Sequence, residues 1–142
     1  MMKEEKATQI VIVDDHTLVR QEIRSLLEGY PDIDVVGEAR NGLEAIFMVE
    51  KFRPHVILMD INMPKMNGIE ATAQISKGYP DTIIIGFSVN TTTENQEAMK
   101  RAGAVQLVAK DAAVEELCEA IREAVTNRET SQSSAPNEQT AG

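Results

Sequence analysis

The chain has 142 residues, of which 14 are basic and 23 are acidic, so its formal net charge is −9. This length suits one domain with its own core, and the single cysteine excludes an internal disulfide. The negative charge repels polyanions and argues against direct binding of nucleic acid. A charged N-terminus and short apolar runs argue against a secretory signal and a membrane span, so we expect a cytoplasmic protein.

Apolar runs rich in valine and isoleucine alternate along the chain with stretches of helical periodicity. This alternation is typical of βα units, which build parallel sheets covered by helices. The sequence therefore predicts an α/β fold of five βα units. The strands are predicted at residues 10–13, 33–39, 56–59, 83–87 and 105–109.

A helix is predicted after each of these strands. The first is indicated by apolar residues at helical spacing between Leu18 and Leu27, with Thr17 as its N-cap. The last is predicted with Asp111 as its N-cap, and Cys118 on its apolar stripe predicts a buried, unreactive thiol. The four helices after the first are predicted at residues 42–52, 68–77, 93–101 and 112–125.

Composition divides the chain into three segments. Residues 1–7 are predicted to form an N-terminal extension, and residues 8–125 the folded domain. Residues 126–142 are polar and contain no large apolar side chain, which predicts a disordered tail or a truncated linker.

Four of the predicted strands end in polar residues that suit phosphate chemistry. Because the carboxyl ends of parallel strands meet at one edge, we expect these residues to form one pocket. Three carboxylates about 4 Å apart repel by about 1 kcal/mol per pair in water, and by about 4 at an effective dielectric near 20. We therefore expect either a protonated carboxyl group or a bound Mg²⁺. The residues are Asp14 and Asp15 after the first strand, Asp60 after the third, Ser88 after the fourth and Lys110 after the fifth.

These residues carry a resemblance to a known family. The wording around Asp14-Asp15-His16 and Lys110-Asp111 is most similar to the receivers of NarL/LuxR-type DNA-binding regulators. The resemblance implies a flavodoxin-like, doubly wound five-stranded parallel sheet in order 2-1-3-4-5 with five helices around it. The set that resembles the receiver domain of two-component response regulators is Asp14-Asp15, Asp60 followed by Met63-Pro64 and Gly68, Ser88, and Lys110.

The resemblance also implies a role for each pocket residue. Asp60 resembles the phosphoacceptor, which takes a phosphoryl group from a sensor histidine kinase or a phosphotransfer protein. Ser88 resembles the hydroxyl that turns toward the phosphoryl group, and Lys110 the cation that pairs with it. The domain would catalyse only its own phosphorylation and dephosphorylation. The implied Mg²⁺ ligands are Asp14, Asp15, Asp60 and the main-chain carbonyl of Asn62.

Two positions depart from the usual pattern of this family. Leu107 stands where an aromatic residue usually couples phosphorylation to the face of helix 4, strand 5 and helix 5. We therefore expect an altered read-out to an output domain or partner protein at that face. Asp111 stands where proline often follows the lysine in a cis bond, so we expect a trans peptide there.

Other functions stay open at this stage. The chain could be the regulatory part of a transcription regulator whose helix-turn-helix lies outside this sequence. An aspartate-nucleophile phosphatase would share the pocket, but it usually has a second acid where Asn62 stands. A receiver that has lost phosphorylation and acts as a docking surface is the last alternative, with Leu107 as its only support. We expect no direct binding of nucleic acid or membrane, and phosphorylation-dependent homodimerisation is one further option.

His16 follows the acidic pair directly in the sequence. A single histidine near a helix start is more often a surface group than a metal ligand. It is therefore left out of the predicted site.

Overall fold

The computed structural model describes the backbone of residues 7–141 and the side chains of residues 7–130. Strands and helices alternate as the sequence predicts. The strands are β1 (Thr8–Val13), β2 (Ile33–Ala39), β3 (Val56–Met59), β4 (Ile83–Ser88) and β5 (Gln106–Ala109). The helices are α1 (Thr17–Leu27), α2 (Gly42–Phe52), α3 (Gly68–Gly78), α4 (Thr93–Ala102) and α5 (Val114–Ala141).

The five strands form one parallel sheet in the order β2-β1-β3-β4-β5, which confirms the predicted topology. β3 is central and buried at every residue, because helices cover both faces of the sheet. The register pairs Val13 of β1 with Met59 of β3. The next residues, Asp14 and Asp60, therefore leave the sheet side by side.

Each face of the sheet packs against its own group of helices. Alternate side chains of a strand point to opposite faces, so Ile10 and Ile12 of β1 join one cluster while Val11 and Val13 join the other. The first cluster contains residues of α1 and α5, and the second contains residues of α2, α3 and α4. This double cover fixes the sheet edge from which the polar residues emerge.

Three helices begin at side-chain N-caps. Asn41 accepts a hydrogen bond from the backbone N–H of Glu44 at the start of α2. Asn67 and Glu70 form a capping box at the start of α3, and Thr92 caps α4. Each cap satisfies a backbone donor that the first helical turn leaves without a partner.

The two N-caps predicted from the sequence, Thr17 and Asp111, are wrong. Thr17 is the first residue of α1, and His16 occupies the cap position without a capping hydrogen bond. The N–H of His16 is instead bonded to Asp14 Oδ1 at 2.9 Å, a turn that brings the chain into the helix. Asp111 lies in a turn closed by the N–H of Ala112 and the carbonyl of Ala109, and α5 begins only at Val114.

The last helix is longer than the sequence predicts. α5 continues to Ala141, whereas the predicted end lies near residue 125. Residues 104–141 contain no glycine, so the usual C-terminal stop signal is missing there. The helix includes most of the predicted tail, and a linker role for residues 126–142 stays a prediction. Residues 1–6 of the predicted N-terminal extension lie outside the described residues.

Two further expectations are confirmed. Cys118 is 1% exposed, and its burial raises the pKa of the thiol, which leaves it protonated and unreactive at neutral pH. The peptide bond before Asp111 is trans, as are all the others that the structure describes. Among the described residues, no helix combines the length and the apolar character that a membrane crossing needs.

Candidate functional site

The acidic side chains predicted to share a pocket meet at the carboxyl edge of the sheet. Asp14, Asp15, His16 and Asp60 each place one potential ligand atom within 4.8 Å of all the others. Asp14 and Asp60 are 1% and 5% exposed. The sequence prediction that distant carboxylates converge is therefore confirmed for these aspartates.

The backbone of the two buried aspartates is held by the sheet. The N–H of Asp60 donates to the carbonyl of Val13 at 2.9 Å, and the N–H of Asp14 donates to Ala39 at 3.0 Å. These bonds extend the β-ladder one residue beyond each strand. The carboxylates therefore start from fixed backbone positions rather than from mobile loops.

The loop after Asp60 is closed by a glycine. The N–H of Gly68 donates to the carbonyl of Ile61 at 2.7 Å. A Cβ at residue 68 would overlap the carbonyl oxygen of Asp60, so only glycine fits here without moving the backbone. This close approach locks the start of α3 against the aspartate.

Lys110 reaches across the pocket from the end of β5. Its Nζ contacts Asp14 Oδ2 and lies 3.4 Å from Asp60 Oδ2, with the lysine side chain 12% exposed. The N–H of Lys110 donates to the carbonyl of Ser88 at 2.9 Å, which ties the end of β5 to the end of β4. The predicted cation is thus in contact with both buried carboxylates, and it offsets part of their repulsion.

Burial and charge raise the pKa of Asp60. Loss of hydration is the largest cause, and the nearby Asp14 carboxylate adds to it. The Lys110 ammonium and the N–H of Ile61, which donates to Asp60 Oδ1 at 2.8 Å, oppose the increase in pKa but do not cancel it. The charged form of Asp60 is therefore held at a free-energy cost that a further cation would relieve.

Two carboxylate oxygens of the pocket lack hydrogen bonds. Asp14 Oδ2 and Asp15 Oδ1 are buried and accept none from any described residue, although Lys110 and His16 lie against them. Buried carboxylate oxygens that accept no well-aligned hydrogen bond are rare, and carboxylate oxygens are the ligands that Mg²⁺ prefers. The residues present therefore fit the divalent cation that the sequence predicts.

Ser88 and Asn62 are less firmly tied to the pocket. Ser88 is fully buried at the end of β4, and its Oγ accepts a hydrogen bond from the N–H of Asn90 at 3.0 Å. Its hydroxyl hydrogen stays available to donate to another group. Asn62 is exposed two residues after Asp60, and the role of its carbonyl as a ligand stays a prediction.

The sequence prediction missed two residues at the pocket. His16 Nδ1 lies 3.1 Å from Asp14 Oδ1 and 3.1 Å from Asp15 Oδ1. Arg20 is buried, and its Nη1 donates to the main-chain carbonyl of Asp14 at 2.6 Å. A signal for Arg20 was present in the sequence, because it shares a helical stripe with Ile23 and Leu27, and a charged residue on a core-facing stripe is unusual.

Leu107 occupies the usual aromatic position in a partly buried site. A Cβ added to Gly86 would lie 2.6 Å from Leu107 Cδ1 and 3.1 Å from the end of Met99. Leu107 therefore fills a hollow that the glycine leaves in β4. The leucine that replaces the usual aromatic residue is therefore closely packed against β4.

The arrangement combines a buried carboxylate, a cluster of acidic oxygens and a nearby ammonium, and groups of these kinds together suit phosphoryl transfer. Residues 10–122 match the family described as the response regulator receiver domain. The nitrate/nitrite response regulator protein NarL of Escherichia coli (strain K12) is 37% identical over 124 residues, covering 87% of this chain and 57% of NarL.

A second relative has a different named activity. The protein-glutamate methylesterase/protein-glutamine glutaminase of Methanococcoides burtonii is 41% identical over 118 residues, covering 82% of this chain and 33% of that protein. The chain thus spans 33% and 57% of the length of these two curated relatives.

The fold is similar to that of a solved response regulator. The structure of a two-component response regulator of the LuxR family from Aurantimonas sp. SI85-9A1 superposes with a TM-score of 0.82 and 32% identity, covering 86% of this chain and 87% of that one. Family match, relatives and fold agree with the resemblance to NarL/LuxR-type receivers. The chain belongs to the response regulator receiver domain family.

Proposed function

We propose that this domain accepts a phosphoryl group on Asp60 from a sensor histidine kinase or a phosphotransfer protein, and thereby switches a partner-binding surface. The observation that carries the proposal is the buried Asp60 carboxylate beside Asp14, with Lys110 in reach of both. A structural aspartate has no need of a second buried carboxylate at its side, because the pair repels.

The two oxygens of Asp60 have different surroundings. Oδ1 accepts the N–H of Ile61, whereas Oδ2 faces Lys110. Oδ2 is therefore the oxygen that attacks the phosphorus atom. An acyl phosphate bond forms as the P–N bond of the donor phosphohistidine breaks, and its electron pair stays on the imidazole nitrogen. Lys110 then pairs with a phosphoryl oxygen, and the Ser88 hydroxyl donates to another.

Asp14, Asp15, Asp60 and the main-chain carbonyl of Asn62 are the proposed Mg²⁺ ligands. The bound ion supplies positive charge that neutralises the phosphoryl oxygens during transfer. Support comes from the two buried carboxylate oxygens that accept no hydrogen bond from the described residues. The same ion would favour the ionised form of Asp60, which is the form that can attack.

The read-out of the domain is proposed to lie on the face formed by α4, β5 and α5, where an output domain or partner protein would bind. Phosphorylation-dependent homodimerisation through a domain face is compatible with this proposal. We further propose a cytoplasmic location, no direct contact with nucleic acid or membrane, and no turnover of other substrates by this domain.

The test is phosphorylation by a small phosphodonor. The protein is incubated with acetyl phosphate and MgCl₂, and intact mass and peptide mapping locate the modification. We expect one phosphoryl group on Asp60, and none in the Asp60→Asn variant or after chelation of Mg²⁺. Asp111→Asn is the matched control, because it removes the same charge from an exposed residue just after Lys110.

Modification that persists in Asp60→Asn would contradict the proposal. Steady turnover of a phosphomonoester would instead favour the phosphatase alternative. An unmodified protein that still binds a partner would favour a constitutive docking surface.

A second candidate is the regulatory part of a DNA-binding transcription regulator. It is favoured by the similarity to NarL, of which the chain covers 57%, and to the LuxR-family structure. The reading frame at the genomic locus tests it. Continuation into a helix-turn-helix would support this candidate, and continuation into a methylesterase-like region would contradict it.

A further inference from the structure

A buried arginine lies directly behind the acidic pocket. Arg20 of α1 is only 8% exposed. Its Nη1 donates to the main-chain carbonyl of Asp14 at 2.6 Å, and its Nε donates to Glu38 Oε1 at 2.9 Å. Its Nη2 lies 3.3 Å from Thr17 Oγ1. A buried guanidinium is costly unless its donors are satisfied in this way.

The contact with Asp14 fixes the peptide between two predicted ligands. The N–H of Asp14 is already bonded to Ala39, so the bond from Arg20 leaves both backbone polar groups of Asp14 engaged. The carbonyl of Asp14 belongs to the peptide that joins it to Asp15. Holding that peptide plane restricts the directions in which the two carboxylates leave the backbone.

Glu38 balances the charge of the arginine. It lies on β2 and accepts hydrogen bonds from Arg20 and, at 2.7 Å, from Arg24. Burial tends to raise the pKa of Glu38, but the hydrogen bonds from Arg24 and Arg20 overcome this effect and lower it. Because Glu38 is ionised at neutral pH, it compensates the guanidinium, and the negative potential of the acidic pocket is preserved.

We propose that Arg20 is a positioning residue for the divalent cation, which it serves by holding the Asp14–Asp15 peptide so that the carboxylates keep their spacing before the ion binds. The inference rests on the Mg²⁺ site of the proposed function. Groups behind metal ligands commonly set affinity in this way, because they reduce the rearrangement that binding requires.

Arg24 provides the matched control. It pairs with the same Glu38, but its other contacts are with the carbonyl of Val35 at 3.3 Å and with Glu28 at 3.7 Å, and among the described residues it makes no hydrogen bond to Asp14. Replacing Arg24 therefore removes a cation and its ion pair with Glu38 from the same network, along with an ion pair to Glu28, without releasing the Asp14 peptide. A purely structural role of the network predicts similar effects of the two replacements on Mg²⁺ binding.

The experiment measures Mg²⁺ affinity by isothermal titration calorimetry on the whole chain, together with the increase in melting temperature that saturating Mg²⁺ produces. We expect Arg20→Met to weaken binding by about tenfold or more, and Arg24→Met to change it by less than about twofold. Arg20→Lys should recover part of the affinity, since its ammonium keeps the charge but lacks the separated Nε and Nη1 donors with which the guanidinium reaches both Glu38 and Asp14.

Arg20→Met leaves Glu38 without its buried partner and could prevent folding. The double variant Arg20→Met/Glu38→Gln removes the carboxylate that has lost this partner, while still lacking the bond to Asp14. Together with Arg20→Lys, it therefore tests the inference in a variant that is expected to fold. Wild-type affinity in folded Arg20 variants would overturn this inference and leave the proposed function intact. A wild-type chain that binds no Mg²⁺ would overturn both.

Discussion

Charged residues are arranged differently at the two edges of the sheet. At the amino edge, Asp32 before β2 receives two hydrogen bonds from Arg122, at 2.7 and 2.8 Å, and the guanidinium also lies 5.5 Å from the ring centre of Tyr30. At the carboxyl edge, Asp14 and Asp60 lie together with one lysine between them. Charges are paired where they join elements of the fold, and they are crowded where a ligand is expected.

The difference appears in the pKa values of the two aspartates. Hydrogen bonds from Arg122 lower the pKa of Asp32, whereas burial and Asp14 raise the pKa of Asp60. Asp32 therefore contributes stability above its unfolded-state pKa, and this is lost as the pH falls. Asp60 contributes stability only below its unfolded-state pKa, and this is lost as the pH rises through its folded-state pKa. At neutral pH one aspartate stabilises the fold and the other destabilises it.

At the carboxyl edge, the largest effect is expected from replacing Gly68, whose backbone lies against Asp60. Gly68→Ala should lower the free energy of unfolding by about 3 kcal/mol or more, because the new Cβ would overlap the backbone of Asp60. Gly78→Ala at the other end of α3 is the control, since nothing lies within 4 Å of its Cβ position. Urea denaturation measures both. Equal losses in the two variants would show that the backbone approach at Gly68 is not constraining.

Mg²⁺ should offset the repulsion among the carboxylates at the carboxyl edge and so stabilise the folded protein. At a concentration of 100 times the dissociation constant, it should stabilise the protein by about 2.7 kcal/mol, and the melting temperature should rise accordingly. The increase should be lost in Asp14→Asn. A NaCl series of equal ionic strength separates binding from charge screening. No change in wild-type melting temperature at millimolar Mg²⁺ would mean that the aspartates do not form a cation site.

Without Mg²⁺, neutralising Asp60 should stabilise the protein. Asp60→Asn is expected to raise the free energy of unfolding by about 1 kcal/mol at pH 7, since it removes a buried charge beside Asp14. The gain should shrink as the pH falls toward the ordinary carboxyl value of 3.8, where Asp60 itself is neutral. Asp111→Asn, an exposed change of the same charge, should have little effect. A gain independent of pH would contradict the raised pKa of Asp60.

The smallest effect is expected at the amino edge. Asp32→Asn should cost less than about 1 kcal/mol, because both partners of the pair with Arg122 are close to half-exposed and the solvent screens them. The loss should decrease at high salt and at acid pH; the effect of Asp60→Asn also decreases at acid pH, but it is a gain in stability rather than a loss. Chemical denaturation at two salt concentrations and two pH values measures it. A large loss of stability that does not depend on salt would contradict the expectation that the solvent screens this pair.

The sequence predicted the elements whose ends are marked by local signals. β3 lies where an uninterrupted apolar run ends at Asp60, and α2 contains the apolar stripe of Ile46, Val49 and Phe52; both were predicted with the observed bounds. The N-caps at Thr17 and Asp111 were wrong because a cap depends on which N–H a side chain reaches. At α1 the carboxylate of Asp14 reaches the N–H of His16 instead, and a sequence pattern does not show this.

The site was predictable to the extent that topology alone determines it. Parallel strands must bring their carboxyl ends together, which was enough to group Asp14, Asp15 and Asp60. The roles of His16 and Arg20 depend on side-chain directions and on partners from other elements. The spacing of residues in the sequence does not show such contacts. The position of Arg20 on an apolar stripe did indicate that this charged side chain is buried.

The packing of Leu107 against Gly86 has a consequence for how a signal would leave the proposed phosphorylation site. Leu107 fits into β4 two residues before Ser88, so an aliphatic side chain and the strand backbone interlock there. Leucine has no ring to swing and no hydroxyl to exchange hydrogen bonds. A shift at the end of β4 would therefore press directly on the Leu107 side chain of β5.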